Sequence, residues 1–443
     1  MAEKKRYAIV GTGSRAGMYV NALTNTYRDH AQLVALCDTS MTRMKVHANR
    51  IIENHKHPPV PMYLADKFEQ MVKEQKPDVV ITTTVDCFHD VYITRAMELG
   101  CDAITEKPMT TDADKAKKIF DAIEKTGRKL RVTHNYRYST YATALREQIM
   151  KGAIGTPKLI EFSWVLDTRH GADYFRRWHR EMDKSGGLLI HKASHHFDLA
   201  NWWIQSRPKR VFASAELKFY GKENAKKRGK EYSYTRYTGV PEAKDDPFAL
   251  FLDKDPGLKA LYLDAEMETG YLRDRNVFND GPGAPPITIY DTHAVNVDYK
   301  NGVTMSYALV AYSPWEGLRV AITGDKGRIE LYDKHGSHIM RGQSDEELAL
   351  EQARANVQSL KLFPMFGVPK EIKVPEAKGG HGGGDPVMLD QIFLPNAPAD
   401  PFGRAATHID GAASVLIGAA GNKSIATGQP IICDELLKLP ETA

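Results

Sequence analysis

The sequence predicts a two-domain α/β protein in which a doubly wound parallel sheet is followed by a larger α/β domain with an open, mainly antiparallel sheet. A short apolar strand runs into closely spaced glycines near the start of the chain. Up to residue 133, β-branched runs alternate with amphipathic helical stretches, whereas beyond Gly155 the apolar residues alternate as in antiparallel strands. At 443 residues the chain can bury two cores, so we predict domains over 1–133 and 134–443.

The first predicted strand ends in a glycine-rich turn with the sequence Gly11-Thr12-Gly13-Ser14-Arg15-Ala16-Gly17. This is a Gly-x-Gly-x-x-Ala form of the dinucleotide fingerprint. In it, Gly11 makes the tight turn, Gly13 lets a pyrophosphate approach the backbone and Ala16 packs the following helix. The backbone N–H groups at this helix N-terminus, at Ser14 and Arg15, suit a pyrophosphate. The turn therefore predicts a Rossmann domain.

The second predicted strand, 32–38, supports the fingerprint because it ends in a carboxylate. Asp38 lies 21 residues beyond Gly17, about where a ribose 2′-hydroxyl needs an acceptor. A carboxylate there repels a 2′-phosphate, so we expect NAD as the cofactor. Arg43 lies five residues further on and leaves NADP open as the less favoured alternative.

Two later strands of the first domain also end in polar residues. A strand over 79–84 ends at Thr84 and leads into a helix that carries His89. The next strand, 103–105, delivers the triplet Glu106-Lys107-Pro108 to the carboxyl edge of the sheet, where ligands bind in open α/β sheets. A strand at 131–133 closes the domain.

The second domain is predicted from six strands and a final helix over 411–427. The predicted strands are 158–166, 210–219, 287–299, 303–311, 318–323 and 328–332. Residues 221–246 and 379–385 show little periodicity and are predicted to be loops.

Composition excludes several other classes of protein. The formal net charge of +4 is small for this length, so we expect no nucleic-acid and no membrane partner. The four cysteines are scattered without a CxxC pair, which is typical of a reducing compartment. With no signal-peptide core and no membrane-length apolar run, we expect a cytoplasmic location.

These motifs, together with the segment from Gly186 to Asp198, resemble the glucose-fructose oxidoreductase / inositol dehydrogenase (Gfo/Idh/MocA) superfamily over nearly the whole chain. The resemblance implies that Lys107 and His195 flank the nicotinamide. It also implies homo-oligomers, for which the free face of an open sheet is a suitable interface. From the motifs and the resemblance, we expect cofactor contacts from Gly11, Gly13, Ser14, Arg15, Ala16, Asp38, Thr84, His89, Glu106, Lys107, Asn135 and Trp178.

The two flanking residues suit the oxidation of a secondary alcohol. A base must take the hydroxyl proton while hydride leaves the carbon, and His195 is a base near neutral pH. Lys107 would stabilise the developing negative charge or share the proton.

The segment around His195 departs from the family's usual Asp-x-Gly-x-His pattern, because His191 and Ala193 replace the aspartate and the glycine. The usual assisting carboxylate is therefore missing, and we place His191 with the catalytic residues. His191 and His195 also stand at i, i+4, a spacing that can hold a metal. We predict no metal, although His293, Asp291 or His381 could complete such a site.

Substrate contacts are expected from aromatic side chains set among hydrogen-bond donors, a mixture that suits a sugar ring. The segment 169–179 has this composition, and its packing against the sheet is an equally good explanation. The expected substrate residues are Tyr136, Arg137, Arg169, Tyr174, Arg177, His179, Lys192 and His196.

Three functions fit the pattern. The first is an NAD-linked oxidoreductase acting on a secondary alcohol of a sugar, glycoside or polyol. The second is a glycoside hydrolase that retains NAD, as in some members of the superfamily, and that oxidises, eliminates, hydrates and re-reduces its sugar instead of using two carboxylates. The third is a non-catalytic sensor of NAD and a sugar.

Overall fold

A computed structural model describes residues 4–281, 286–337 and 357–440. The described strands are Lys5–Val10 (β1), Ala31–Asp38 (β2), Met62–Leu64 (β3), Val79–Thr82 (β4), Asp102–Thr105 (β5), Leu130–Val132 (β6), Pro157–Asp167 (β7), Pro208–Glu216 (β8), Thr292–Tyr299 (β9), Thr304–Ser313 (β10), Trp315–Gly324 (β11), Gly327–Ser337 (β12), Val357–Pro364 (β13), Lys370–Glu371 (β14), Ala406–Thr407 (β15) and Ile431–Ile432 (β16).

The described α-helices lie between and after these strands. They are Ala16–Asn21 (α1), Met41–Glu53 (α2), Phe68–Gln75 (α3), His89–Glu98 (α4), Ala113–Thr126 (α5), Thr140–Met150 (α6), Thr168–Arg176 (α7), Met182–Ser185 (α8), Leu188–His191 (α9), Ser194–Ile204 (α10), Lys222–Lys227 (α11), Pro256–Leu258 (α12), Glu266–Thr269 (α13), Gly380–Phe393 (α14) and His408–Thr427 (α15).

The first sheet has the strand order β15-β6-β5-β4-β1-β2-β3 in the described chain. Neighbouring strands from β3 to β6 run parallel, which confirms the predicted Rossmann fold. The strand order reverses between β1 and β4, and ligands bind at such switch points. Gly11 lies there with φ +87°, and a Cβ on it would come within 2.7 Å of Thr83 and Thr84 backbone atoms. The turn therefore requires glycine.

The second sheet has the order β14-β13-β12-β11-β7-β10-β9-β8-β16 over the described residues. Its pairs are antiparallel except for β7 with β10, so the predicted mainly antiparallel sheet is confirmed. Alternate side chains of β7, β9 and β10 are buried, and they form one face of the core of this domain.

Helix α15 lies between the two halves of the molecule. Its residues pack against Leu130 and Val132 of the first domain and against the core of the second. The helix is rich in glycine and alanine, and a Cβ on Gly418 would meet the Leu189 carbonyl oxygen at 2.7 Å. Small residues thus let α15 approach α9, which carries His191.

Some late segments differ from the sequence-based expectation. The predicted loop at 379–385 is the start of α14, although His381, Gly382 and Gly383 keep left-handed, non-helical dihedral angles. Strand β15 adds to the first sheet, antiparallel to β6. The division at 133/134 stays a prediction. Among the described helices, none has the length and apolar character needed to cross a bilayer.

Candidate active site

A cavity of about 680 Å³ lies at the carboxyl edge of the first sheet, where residues of both halves of the chain meet. Its size falls within the range of about 300–1,000 Å³ that is typical of small-molecule sites. Predicted site residues on its wall are Gly11, Gly13, Ser14, Arg15, Asp38, Thr84, His89, Glu106, Lys107, Asn135, Tyr136, Tyr174, Arg177, Trp178, His179, His191, Lys192 and His195.

The fingerprint end of the cavity fits a dinucleotide. A Cβ on Gly13 would meet no atom within 4 Å, so a ligand can reach this backbone. Asp38 is buried, and its carboxylate accepts hydrogen bonds from the backbone N–H and the hydroxyl of Thr12 and from the Ser40 backbone N–H. These bonds hold the carboxylate at the end of β2. Ala16 is fully buried and packs the helix, as its place in the fingerprint requires.

Glu106 links the end of β5 to the fingerprint. Its Oε1 accepts hydrogen bonds from Arg15 Nε at 2.7 Å and from the Tyr19 hydroxyl at 2.8 Å. Burial opposes the charge of Glu106, but Arg15 and Tyr19 outweigh burial and lower its pKa. The carboxylate therefore positions Arg15 at the rim of the fingerprint.

Lys107 lies on the wall of the cavity beside His191. Its ammonium donates a hydrogen bond to the His191 carbonyl oxygen at 2.9 Å. Burial lowers the pKa of Lys107 to about 8, although the carboxylate of Asp86 favours the charged form. At neutral pH this half-buried side chain is a cation that can also release a proton.

The carboxylate that the sequence motif lacks is supplied from elsewhere. Asp86, just after β4, lies with Oδ2 2.5 Å from Nδ1 of His191. Burial raises the pKa of Asp86 well above its usual range. Burial, followed by Lys107, lowers the pKa of His191 well below its usual range. Both shifts disfavour an ion pair between the two side chains.

His195 lies on α10 beside Tyr136 and Lys192. The Tyr136 ring is 4.6 Å from the His195 ring, edge to face. Burial, and then Lys107 and Lys192, lower the pKa of His195 well below its usual range. Its Nδ1 is buried and has no hydrogen-bond partner among the described residues. The imidazole is therefore neutral and available as a base.

The wall opposite the fingerprint is aromatic. Trp178 stacks on His179 with ring centroids 3.6 Å apart, and the His179 ring meets His191 edge-on at 4.1 Å. The hydroxyl of Tyr174 lies 3.0 Å from Nε2 of His170, another wall residue. Such a surface offers ring faces and polar edges side by side, as a sugar ring requires.

Three expected substrate residues do not line the cavity, which corrects those assignments. The Arg137 guanidinium is buried against Asp198, with nitrogen–oxygen distances of 2.7 and 2.6 Å. His196 stacks on Trp164 inside the core and hydrogen-bonds the Tyr307 hydroxyl at 2.7 Å. Arg169 is exposed on α7.

His89 lies on the wall of the cavity, and both of its ring nitrogens contact backbone carbonyl oxygens. Its Nδ1 lies 2.8 Å from the Pro108 carbonyl oxygen, and its Nε2 lies 3.2 Å from the Thr84 carbonyl oxygen. The ring thus ties the end of β4 to the segment that carries Lys107. The expected cofactor contact of His89 stays a prediction.

His381 is a cavity residue that sequence reasoning considered only as a metal ligand. Its Nδ1 lies 2.9 Å from Oδ2 of Asp385, whose other oxygen accepts a hydrogen bond from Asn135 at 2.7 Å. Its ring centroid is 5.9 Å from that of His195. The residue has φ +52°, an uncommon value for a non-glycine residue. The surrounding glycines in the sequence are the signal that could have drawn attention to it.

The other residues considered for a metal lie apart from this cluster. Asp291 accepts backbone hydrogen bonds from Lys218, Phe219 and Tyr220 at 2.7–3.0 Å. His293 is a buried residue of β9, outside the cavity wall. Over the described ranges, no three His, Cys, Asp or Glu side chains form a group that could hold a metal ion.

The fold and this cavity define a two-domain α/β protein with a nucleotide fingerprint beside buried acid–base groups. The family model described as "Oxidoreductase family, NAD-binding Rossmann fold" matches residues 5–134, and "Oxidoreductase family, C-terminal alpha/beta domain" matches residues 146–432. The chain belongs to the Gfo/Idh/MocA oxidoreductase family, as the sequence motifs predicted.

Three proteins illustrate the similarity. The YteT protein of Bacillus subtilis (strain 168), an oxidoreductase by name, is 32% identical over 444 residues, which cover 98% of this chain and 99% of YteT. Glycosyl hydrolase family 109 protein 1 of Akkermansia muciniphila is 27% identical over 169 residues, or 38% of this chain and 34% of that protein. The aldose-aldose oxidoreductase of Caulobacter crescentus, solved with glycerol, has a TM-score of 0.62 and 15% identity, covering 97% of this chain and all of that one.

Proposed function

We propose that this protein is an NAD-dependent oxidoreductase that acts on a secondary alcohol of a sugar, glycoside or polyol. The observation that carries the proposal is the meeting of Lys107 and His195 in the cavity that also holds the fingerprint. One comes from the end of β5 and the other from α10. The family membership and the aldose named for the Caulobacter protein support this substrate class.

The chain's own residues divide the proton chemistry. A nicotinamide bound beside them would supply hydride acceptance and return. His195 is neutral and takes the hydroxyl proton, while Lys107 holds the developing negative charge on the oxygen. Asp86 orients the His191 ring, and the His191 carbonyl oxygen holds the Lys107 ammonium. Tyr174 and Trp178 exclude water from the reacting carbon.

The cofactor preference rests on Asp38. Its buried carboxylate lies at the end of β2, where it would accept from a ribose 2′-hydroxyl and repel a 2′-phosphate. We therefore propose NAD as the cofactor.

The test is a spectrophotometric screen. Purified protein is incubated with NAD and a panel of aldoses, glycosides and inositols, and NADH is followed by its absorbance. Alcohol-dependent NADH formation supports the proposal. A protein that binds neither NADH nor NADPH in fluorescence titrations would contradict it.

The second candidate is an NAD-retaining glycosidase. The similarity to glycosyl hydrolase family 109 protein 1 and the additional imidazole–carboxylate pair of His381 and Asp385 favour it. Elimination and hydration need more proton transfers than a single oxidation does. Release of nitrophenol from nitrophenyl glycosides without added cofactor, and without net NADH, distinguishes this function from the first.

We also propose a homo-oligomer formed through the open face of the second sheet. Leu159 of β7 and Phe212 of β8 are exposed, at 38% and 44% of their surface. Between them, Ser306 and Ala308 of β10 present small side chains to solvent. Gel filtration with light scattering tests this, and a monomeric mass would refute it.

A further inference from the structure

The insertion between β8 and β9 reaches back over the fingerprint. Within it, residues 255–271 form a segment that we call the strap, which contains α12, a π-helical turn at Lys259–Leu263 and α13. Leu261 and Tyr262 of the strap form a small hydrophobic cluster to which Val46 of α2 belongs. The strap therefore packs on the helix that follows Asp38.

One carboxylate of the strap occupies the start of α2. Glu268 Oε2 accepts hydrogen bonds from the Ser40 hydroxyl at 2.5 Å and the Thr42 backbone N–H at 3.0 Å. Its Oε1 accepts another from the Thr42 hydroxyl at 2.7 Å. These bonds lower the pKa of Glu268 to about 2, so the carboxylate is charged at neutral pH.

The strap also engages the arginine that a 2′-phosphate would use. In dinucleotide folds, an Arg near the acidic residue accommodates the phosphate of NADP. Here Arg43 Nε donates to the Leu261 carbonyl oxygen at 2.9 Å. The guanidinium lies 5.3 Å from the Tyr262 ring centroid and 5.1 Å from that of Tyr271. The strap thus fixes the guanidinium at the wall of the cavity.

Ser40 connects the two carboxylates. Its backbone N–H donates to Asp38 at 2.9 Å, and its hydroxyl donates to Glu268. A phosphate beside the ribose 2′-oxygen would compete with Glu268 for the Thr42 backbone N–H at the start of α2 and for the hydroxyls of Ser40 and Thr42. It would also meet two negative charges instead of one.

We infer that Glu268 is a specificity-determining residue, a carboxylate that fills the 2′-phosphate position from within the chain and makes the site select NAD over NADP. This inference rests on the proposed function, since it presumes a dinucleotide at the fingerprint. It adds a second carboxylate, from the insertion, to the one that Asp38 supplies at the end of β2.

The test compares a series of charges at position 268. NADH and NADPH dissociation constants are measured by coenzyme fluorescence for the wild type, Glu268→Gln and Glu268→Lys. The matched control is Glu242→Gln, an exposed carboxylate on the same insertion. Thermal unfolding checks that each variant is folded.

We expect the ratio of the NADPH to the NADH dissociation constant to fall about fivefold to tenfold in Glu268→Gln. It should fall further in Glu268→Lys, mainly through tighter NADPH binding. Glu242→Gln should leave the ratio unchanged. If NADPH binding to the wild type is too weak to measure, its lower bound serves as the reference.

Two outcomes would overturn the inference and are distinguishable. If the wild type binds NADH but both Glu268 variants keep its ratio within twofold, Glu268 does not set the preference and the proposed function stands. If the wild type binds neither coenzyme, the proposed function itself fails. Added salt should bring the ratio of the NADPH to the NADH dissociation constant in the wild type closer to that in Glu268→Gln, because salt screens the charge repulsion.

Discussion

Replacing Lys107 tests the proposed division of proton chemistry most directly. The side chain is half-buried, its ammonium has a pKa lowered to about 8, and the His191 carbonyl oxygen accepts a hydrogen bond from it. Lys107→Met should lower kcat/KM for alcohol oxidation by about 10²–10³, the usual loss for one preorganised group that stabilises charge. NADH binding should change by less than about threefold, since the fingerprint supplies the other contacts.

The pH dependence follows from the same pKa. If the cation is the required form, activity is full below pH 8 and is lost as pH rises through it. With a pKa of about 8, the protonated fraction falls from about nine-tenths at pH 7 to about one-tenth at pH 9. Initial rates of NADH formation should therefore give a roughly tenfold fall in kcat/KM over that range. His195, whose pKa is lowered, should add no inflection near pH 6.5.

The Arg variant separates the two roles of Lys107. In Lys107→Arg the guanidinium stays charged, so the alkaline loss should disappear even if the rate is lower throughout. The control for Lys107→Met is Lys118→Met, the same substitution at a residue on the exposed face of α5. A rate that instead rises through pH 8 would make the neutral amine the base and refute the assignment to His195. Unchanged biological effects in Lys107→Met, with NAD binding retained, would favour the sensor.

The remaining predictions concern the turn, the core and the second imidazole. Gly11→Ala should destabilise the fold by about 1–3 kcal/mol, because φ is +87° and the new methyl meets backbone, and should weaken NADH binding more than tenfold; thermal unfolding and fluorescence titration check this. Arg137→Met should cost about 3–5 kcal/mol in urea unfolding because Asp198 would stay buried without its partner, and a loss below 1 kcal/mol would contradict it. For glycoside hydrolysis, His381→Ala and Asp385→Asn should each lower kcat/KM by a similar factor of about a hundredfold. Clearly unequal losses would show that the two residues do not act as a unit.

The parts of the site that lie at strand ends could be predicted from the sequence. Gly11, Asp38 and Lys107 each follow a short apolar run, and parallel strands bring such positions to one edge. His195 could be found because its segment matches a family motif. The prediction that His196 contacts the substrate was wrong because successive residues on a helix point in different directions. His195 faces the cavity, whereas His196 points into the core.

The sequence did not reveal the pairs whose two members are remote in the chain. Asp86 and His191 are 105 residues apart, and Ser40 and Glu268 are 228 apart. No local period marks such pairs, because tertiary packing brings together side chains from elements that are distant in the sequence. Arg137 was misassigned for the same reason, since its partner Asp198 lies 61 residues away. A donor-rich stretch predicts polar contacts but not whether they are made with a substrate or within the protein.

The electrostatics of the cavity explain why cations and imidazoles stand together in it. Lys192 is buried and Lys107 is half-buried, and each contributes, after burial of the imidazole itself, to the lowered pKa of His195. A protonated imidazole would add a third positive charge to this volume, so the charge stays on the lysines and the imidazole keeps its lone pair. An ammonium beside a neutral imidazole provides a cation and a base at the same pH. An alcohol needs both when it loses a proton from its oxygen and a hydride from the adjacent carbon. It follows that removing the charge of Lys192, as in Lys192→Met, should raise the pKa of His195. The rate of this variant should then fall toward low pH, where His195 becomes protonated, at a higher pH than in the wild type.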